Sequence, residues 1–241
     1  MDTKPLVAIT GASSGIGEAT ARAFSAAGHP VLLMARRMDR MEALGLPNAV
    51  LRQVDVRNRA AIAAAVRDAE ERFGPVDMMF ANAGIARLAD IGRQPPEEWD
   101  EMIDINTKGV MNTVHAVMNG MMERKRGTLV MMSSIAGRKV YPDHTVYCGT
   151  KYFVHAVSES LREYLSAYDV RVIVLSPGVI ETEVLSGVLD EETLANYKSN
   201  KIKMGGGIGA DIVGDLILNA YQLPQKALVQ EICLTPTRQT Y

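Results

Sequence analysis

The chain has 241 residues, of which 47% are apolar and 22% charged, and its formal net charge is −2. This composition is typical of a packed globular domain, and the lack of a basic surplus argues against nucleic acid as a partner. The chain has two cysteines, too few for a disulfide framework, and its N-terminus lacks a signal-peptide pattern, so we expect a cytoplasmic protein. No apolar run reaches the ~18 residues that cross a bilayer, so we expect no membrane contact.

Seven short, mostly apolar runs alternate with helical patterns along the chain. The predicted strands are 6–10, 31–35, 50–54, 78–81, 128–132, 170–175 and 228–234. The predicted helices are 17–27, 38–44, 60–73, 99–123, 147–168 and 208–221. Strands that are apolar throughout are buried on both faces, so we expect one α/β domain over 1–241, a Rossmann-type doubly wound fold with a parallel seven-stranded sheet between helices. The polar, glycine-rich segment 181–209 interrupts the alternation and is expected to form a small mobile lid.

The turn after the first predicted strand is rich in glycine. It reads TGASSGIG over 10–17 and leads into the first helix. A helix N-terminus carries unpaired N–H groups that bind phosphate, and glycine lets the phosphate approach the backbone. We therefore expect a dinucleotide pyrophosphate at this turn; a merely tight turn is the alternative. The expected cofactor contacts are Gly11, Ser13, Ser14, Gly15, Ile16 and Gly17.

The second predicted strand ends in two arginines instead of a carboxylate. In a dinucleotide-binding fold, the chain leaving this strand lies beside the adenosine ribose, where an acid selects NAD and an arginine accepts a 2′-phosphate. Arg36 and Arg37 occupy that place. They predict NADP(H) as the cofactor, since guanidinium groups match phosphate geometry, although a solvated basic turn would look the same.

Tyr147 and Lys151 are four residues apart in the predicted helix 147–168 and therefore share a face. An ammonium one turn away is expected to lower the pKa of the phenol from ~10 towards neutrality, which would make Tyr147 a general acid/base. A plain surface pair has the same spacing. Further polar residues follow the apolar strands that end nearby, namely Asn82, Ser133, Ser134, Pro177 and Gly178, while Asn106 lies inside a predicted helix, where asparagine is disfavoured.

Together these motifs resemble the short-chain dehydrogenase/reductase family over essentially the whole chain. The resemblance rests on the glycine turn, Asp55-Val56, Asn82-Ala83-Gly84, Asn106, Ser134, Tyr147 with Lys151, and Pro177-Gly178 with Thr182. Ser134 rather than Ser133 keeps the family's thirteen-residue spacing to Tyr147. In relatives that read the 2′-phosphate inside the glycine loop, a basic residue stands where this chain has Ser14, so NADP(H) preference would depend mainly on Arg36, with Arg37 assisting.

The resemblance implies an enzyme that interconverts an alcohol and a carbonyl by hydride transfer. Tyr147 would exchange the proton, Ser134 would hold the substrate oxygen, Lys151 would bind the nicotinamide ribose, and Asn106 would support a water in a proton relay. The cofactor half would span about 1–130 and the catalytic half about 131–241, with long helices pairing into a homotetramer or homodimer. Further contacts to the cofactor are implied for Asp55, Val56, Asn82, Ala83, Gly84, Pro177, Gly178, Val179 and Thr182.

The substrate is expected to be small. Cations in the loops that follow the catalytic strand ends, among them Arg138 and Lys201, favour a small hydroxy acid or anionic aldehyde, as in the family's serine/3-hydroxy acid dehydrogenases and sulfoacetaldehyde reductases. Arg138 and His144 are the expected substrate contacts beside Ser134 and Tyr147. A reductase of neutral carbonyl compounds and a catalytically silent NADP(H)-binding regulator remain alternatives. No metal-ligand spacing is found, and the tail 235–241 is expected to reach a neighbouring subunit.

Overall fold

The computed structural model describes residues 4–240; residues 1–3 and Tyr241, which end the predicted domain and tail, lie outside the described residues. Seven parallel strands of the described chain form one sheet, in the order β3-β2-β1-β4-β5-β6-β7. The strands are β1 (Leu6–Thr10), β2 (Val31–Ala35), β3 (Ala49–Gln53), β4 (Val76–Ala81), β5 (Gly127–Met132), β6 (Val170–Pro177) and β7 (Glu231–Leu234). The predicted single Rossmann-type domain with a parallel seven-stranded sheet is confirmed.

Helices cover both faces of the sheet. They are α1 (Gly15–Ala26), α2 (Met38–Glu42), α3 (Arg59–Phe73), α4 (Pro96–Ile103), α5 (Gly109–Arg124), α6 (Thr145–Ser166), α7 (Glu191–Lys203) and α8 (Ala210–Gln222). Apolar side chains of α3, α5 and α6 pack on one face, and those of α1, α2 and α8 pack on the other. All residues of β1, β2, β4, β5 and β6 are buried, because both faces of these strands are covered.

Local signals in the sequence account for several helix ends. Asn58 precedes α3, and its side chain accepts a hydrogen bond from the N–H of Ala61 at 3.0 Å. Gly74 follows the same helix with a φ of 80°, a conformation that glycine adopts without strain. The helix therefore ends where the predicted segment 60–73 ends.

The predicted helix 99–123 is three elements. It consists of α4, a π-helical turn at Asp104–Lys108 and α5, so the chain is continuous but its hydrogen-bond pattern changes in the middle. The last strand is shorter than the predicted 228–234, since Leu228 and Val229 pack against the core while the ladder begins at Glu231.

The predicted lid, residues 181–209, contains the helix α7, which the sequence analysis does not predict. Two backbone hydrogen bonds join the first and last residues of this lid region. The N–H of Glu181 donates to the carbonyl of Ile208 at 2.8 Å, and the N–H of Ile208 donates to the carbonyl of Val179 at 3.0 Å. Asp190 caps α7 by accepting from the N–H of Thr193 at 2.8 Å. The lid therefore leaves the sheet after β6 and returns beside it before α8.

Candidate active site

A cavity of about 550 Å³ opens at the carboxyl ends of the strands, where the strand order reverses between β1 and β4. Open α/β sheets bind ligands at this position. The structure brings nearly all the expected site residues to its wall. They are Gly11, Ser13, Ser14, Gly15, Ile16, Arg36, Arg37, Asp55, Val56, Asn82, Ala83, Gly84, Ser134, His144, Tyr147, Lys151, Pro177, Gly178, Val179 and Thr182. Gly17, Asn106 and Arg138 do not line it.

The glycine turn packs tightly against its surroundings. Gly11 and Gly15 have φ values of 67° and 56°, which side chains disfavour. A Cβ on Gly11 would stand 2.8 Å from the Asn82 amide, and one on Gly15 would stand 3.0 Å from the Thr182 methyl. Ser14 precedes α1 but makes no side-chain cap, which leaves the first N–H groups of the helix without that partner. Gly17 serves the packing of the turn itself, since a Cβ there would overlap the carbonyl of Gly11.

The two arginines after β2 are placed differently from expectation. Arg37, not Arg36, lies against the glycine turn: its guanidinium donates to the Ser14 hydroxyl at 2.7 Å and to that of Ser13 at 3.2 Å. Arg36 is exposed at the cavity edge, and its carbonyl accepts from the Gln53 amide. The structure thus places the Arg37 guanidinium nearer the glycine turn than expected, while the preference for Arg36 as the main contact of a 2′-phosphate stays a prediction.

Polar groups join the strand ends at the adenosine side of the cavity. The Asn82 amide donates to the carbonyl of Thr10 at 2.9 Å and so ties β4 to β1. Asp55 accepts from the Arg57 guanidinium at 2.6 Å, and this hydrogen bond holds the pKa of the carboxyl below its ordinary value. Asp55 is therefore ionised at neutral pH.

Ser134 and Ser133 follow β5 but face different neighbours. The Ser134 hydroxyl donates to the carbonyl of Pro177 at 3.3 Å and accepts from the N–H of Ala136 at 3.1 Å, on the cavity wall. The Ser133 hydroxyl donates to the carbonyl of Lys151 at 3.0 Å and fixes α6 to the strand end. Both serines line the cavity, but the Ser133 hydroxyl is engaged by the backbone of α6, and the choice of Ser134 as the residue that holds the substrate stays a prediction.

Tyr147 and Lys151 stand one turn apart on α6, with the Lys151 ammonium 5.6 Å from the centre of the phenol ring. Lys151 is 4% exposed and donates to the carbonyl of Met132 at 3.0 Å. Burial lowers its pKa to about 8. The expected lowering of the Tyr147 pKa is wrong for this structure: although the ring borders the cavity, the dense protein around it raises the pKa, and a hydrogen bond to Ser134 opposes that rise only in part.

Asn106 lies in the π-helical turn and is fully buried. Its amide oxygen accepts from the N–H of Ile85 at 2.9 Å, and its amide nitrogen donates to the carbonyl of Ile85 at 2.9 Å and to the Thr150 hydroxyl at 3.2 Å. The expectation that this misplaced asparagine has a specific hydrogen-bonding role is met. Its contacts hold the strand end after β4 against α6 and do not reach the cavity.

The part of the cavity next to Ser134 and Tyr147, here called its substrate half, contains fewer cations than expected. The structure does not place Arg138 on the cavity wall, its guanidinium donates to Glu231 at 3.0 Å, and its expected contact with the substrate stays a prediction. Lys201 also lies outside and pairs with Glu181. The lysines and arginines that line the described cavity are Arg36, Arg37, Arg87 and Lys151. His144 does line it, 2.7 Å from the Asp143 carboxylate and with its ring 6.2 Å from that of Tyr147.

A family model described as short chain dehydrogenase matches residues 5–193. The chain belongs to the short-chain dehydrogenase family. An uncharacterized oxidoreductase of Staphylococcus saprophyticus is 35% identical over 245 residues, with 98% of this chain and 97% of that protein covered. An NADP-dependent 3-hydroxy acid dehydrogenase of Salmonella typhi is 38% identical over 187 residues, with 76% and 75% covered. The closed form of a serine dehydrogenase complexed with NADP+ superposes with a TM-score of 0.91 at 30% identity, covering 98% and 96%.

This short-chain dehydrogenase also uses residues that the sequence analysis missed. Gln239 of the tail folds back and accepts from the N–H of Val179 at 3.0 Å, so the part of the tail described here completes the chain's own cavity. The Glu183 carboxylate accepts from Arg37, which follows β2, and from Arg40 of α2. No local pattern marks either residue, because both contacts join segments that are far apart in the sequence.

The wall fits a dinucleotide. Uncapped N–H groups at the start of α1 face one part of the cavity, and the Arg37 guanidinium with two serine hydroxyls lies beside them. These donors suit phosphate oxygens.

Between residues 4 and 240, no group of three or more His, Cys, Asp or Glu side chains could hold a metal ion. No helix in that part of the chain is long and apolar enough to cross a membrane.

Proposed function

We propose that this oxidoreductase uses NADP(H) to interconvert a small alcohol and its aldehyde or ketone. The observation that carries the proposal is that Ser134, Tyr147 and Lys151 meet on one wall of the cavity, at the strand ends where the order of the sheet reverses. The NADP-dependent relative and the NADP+ complex of the serine dehydrogenase support the cofactor.

Tyr147 carries the proton in this proposal. Bound NADP(H) supplies or accepts the hydride. Because burial raises the pKa of its phenol, Tyr147 is protonated at neutral pH and can donate a proton to the substrate oxygen during reduction. The Ser134 hydroxyl holds that oxygen. Lys151 places an amine that is mostly protonated at neutral pH beside the ring, and Asn106 acts as a positioning residue that fixes the segment after β4.

The cofactor would lie along the wall from the arginines to β6. The glycine turn would face the pyrophosphate, and Arg37 with Arg36 would receive the 2′-phosphate. Asp55 and Val56 would flank the adenine. The remaining contacts are assigned to Asn82, Ala83, Gly84, Lys151, Pro177, Gly178, Val179 and Thr182.

A small hydroxy acid is the first candidate substrate. The 3-hydroxy acid dehydrogenase and the serine dehydrogenase among the relatives support it. Arg87 is the cation of the substrate half that could bind a carboxylate, because it lines the cavity and is only partly exposed. It already pairs with Glu101 at 3.1 Å and presses on Gly187, where a Cβ would overlap the guanidinium.

Neutral carbonyl compounds are the second candidate, and a different observation favours them. The lid packs Leu185 and Tyr197 towards Tyr147, so the surface next to the reaction centre is apolar and aromatic. The Tyr141 hydroxyl on the same wall is buried without a hydrogen-bond partner among the described residues, which would suit a neutral oxygen of the substrate.

The test compares matched hydroxy acids and neutral alcohols with NADP+, using wild type, Arg87→Gln and Arg93→Gln. Arg93 pairs with Asp190 outside the cavity and is the matched control. If Arg87 binds the carboxylate, its loss raises KM for hydroxy acids by at least about tenfold, as expected when a charged hydrogen bond is removed, and leaves neutral alcohols unchanged. An equal effect on both classes would favour the neutral substrate.

The alternative that the protein is a catalytically silent NADP(H)-binding regulator has its own test. Tight NADPH binding without turnover across the whole panel of hydroxy acids and neutral alcohols would support it. We place the protein in the cytoplasm on the strength of its low cysteine content, and fractionation of the source cells would test this.

A further inference from the structure

Glu183, at the start of the lid, lies among the arginines at the adenosine end of the cavity. Its carboxylate accepts from the Arg40 guanidinium at 2.6 Å and from that of Arg37 at 3.1 Å. These two cations hold the pKa of Glu183 below its ordinary value, so the group is ionised at neutral pH. The lid is thereby attached to the segment that follows β2.

Of these two arginines, Arg37 lines the cavity beside the glycine turn, where the 2′-phosphate is proposed to bind, while Arg40 belongs to α2. Arg37 already aligns the hydroxyls of Ser13 and Ser14 beside the glycine turn. A carboxylate and a phosphate satisfy a guanidinium in the same way, through oxygen atoms in its plane. Glu183 thus fills, from within the chain, the role that an anion from outside would take.

A phosphate and the Glu183 carboxylate would repel each other if they shared Arg37. We propose that Glu183, held in place by Arg40, is a specificity-determining residue, whose carboxylate competes with the 2′-phosphate of NADP(H) for Arg37. This inference rests on the proposed function, since it takes NADP(H) as the cofactor. The contact between Glu183 of the lid and Arg37 would therefore weaken the binding of NADP(H) but not the binding of NAD(H).

The competition also couples the lid to the cofactor. Thr182 precedes Glu183 and touches the position of Gly15 in the glycine turn. The N–H of Ser186 donates to the carbonyl of Glu183 at 2.8 Å, which closes a turn just beyond it. When an anion displaces the carboxylate, the first segment of the lid loses its attachment to the arginines while its base beside β6 stays fixed.

The effect should be moderate, because the side chains of Glu183, Arg37 and Arg40 are 51%, 44% and 43% exposed. Glu183→Gln should tighten the binding of a 2′-phosphate ligand by about three- to tenfold, the range for the loss of two solvent-exposed ion pairs. Binding of a ligand without that phosphate should not change.

Calorimetric titration with adenosine 2′,5′-bisphosphate and with 5′-AMP tests this without turnover. The variants are Glu183→Gln and Glu192→Gln. Glu192 belongs to the same lid and pairs with Arg93, so its substitution removes the same charge at a distance from Arg37 and Arg40. We expect only Glu183→Gln to tighten the bisphosphate, with 5′-AMP unaffected in every protein.

Two results would overturn the inference. One is a bisphosphate affinity that is unchanged or weaker in Glu183→Gln, in a protein whose wild type prefers the bisphosphate to 5′-AMP. The other is an equal gain for both ligands, which would indicate a general loss of negative charge. If neither wild type nor Glu183→Gln prefers the bisphosphate, the proposed NADP(H) preference itself fails, and this inference with it.

Discussion

Burial acts in opposite directions on the pKa values of Tyr147 and Lys151. It raises the pKa of the phenol and lowers that of the amine to about 8, so both groups are shifted towards their neutral forms. The expected effect of the ammonium on the phenol is outweighed, because partial burial desolvates the ring and Lys151 donates to the carbonyl of Met132 instead. The spacing of the pair could be predicted from the sequence, but the sign of the shift depends on packing.

Lys151 should make stability depend on pH. Its folded pKa of about 8 lies below the ordinary 10.5, so the folded chain binds this proton less tightly than the unfolded chain. The cost is full below pH 8 and vanishes above pH 10.5, and it amounts to about 3 kcal/mol. Relative to Lys151→Met, the free energy of unfolding of wild type should rise across this window in urea titrations. Parallel pH profiles for the two proteins would contradict the burial argument.

The π-helical turn is the element that the sequence predicts least directly. The sequence predicts a long helix over 99–123 with some irregularity, but it does not predict a π-helical turn at Asp104–Lys108, which contains Asn106. The Asn106 amide pairs with both backbone groups of the half-buried Ile85, which have these side-chain atoms as their partners. The local conformation is thus set by a strand end that is distant in the sequence.

Replacing Asn106 with Leu should destabilise the protein. Both backbone groups of Ile85 would lose a partner, and each orphaned group costs roughly 1–3 kcal/mol. Urea titration should therefore show a loss of at least about 2 kcal/mol. Asn219→Leu, at an exposed position of α8, is the control and should change little. Equal stability of Asn106→Leu and wild type would show that water or a shifted backbone satisfies these groups.

The lid helix α7 has clear end signals in the sequence. Asp190 is a good helix cap, acidic residues follow it in the first turn, and Lys201 and Lys203 lie in the last turn. Apolar periodicity nevertheless predicts no helix there, because α7 buries little of its surface. In contrast, the buried strands were predictable because their apolar runs are unbroken.

At the scale of the whole molecule, the cavity joins segments from both halves of the chain. Glu183 contacts Arg37 in the first half of the chain, and Gln239 contacts Val179 just after β6, in both cases across long sequence separations. Such contacts have no local pattern, so the strand-end residues could be predicted from the sequence while these two could not. The architecture therefore predicts that ligand binding stabilises the entire domain.

NADPH should raise the unfolding temperature more than NADH does. A ligand at 100 times its Kd stabilises the folded state by about 2.7 kcal/mol, and Arg37 gives NADPH the lower Kd in our proposal. Thermal unfolding with equal concentrations of each dinucleotide measures the difference. Equal shifts would contradict the NADP(H) preference.

The protein should assemble as a homotetramer or homodimer. Tyr152 and Tyr164 on α6 and Ile103 at the end of α4 are exposed in the single chain, at 41%, 56% and 40%. Large apolar groups on helix faces are typical of subunit contacts. Light scattering should give the mass of four or two chains, whereas the mass of one chain would contradict this prediction.

The role of Tyr147 in proton transfer is the central claim, and Tyr147→Phe tests it most directly. NADPH consumption and NADPH affinity should be measured together on wild type and the variant, with a substrate that wild type reduces. We predict that kcat falls by at least about 100-fold, the lower end for loss of a general acid, while the affinity for NADPH is retained. A variant that keeps the wild-type kcat would contradict the account.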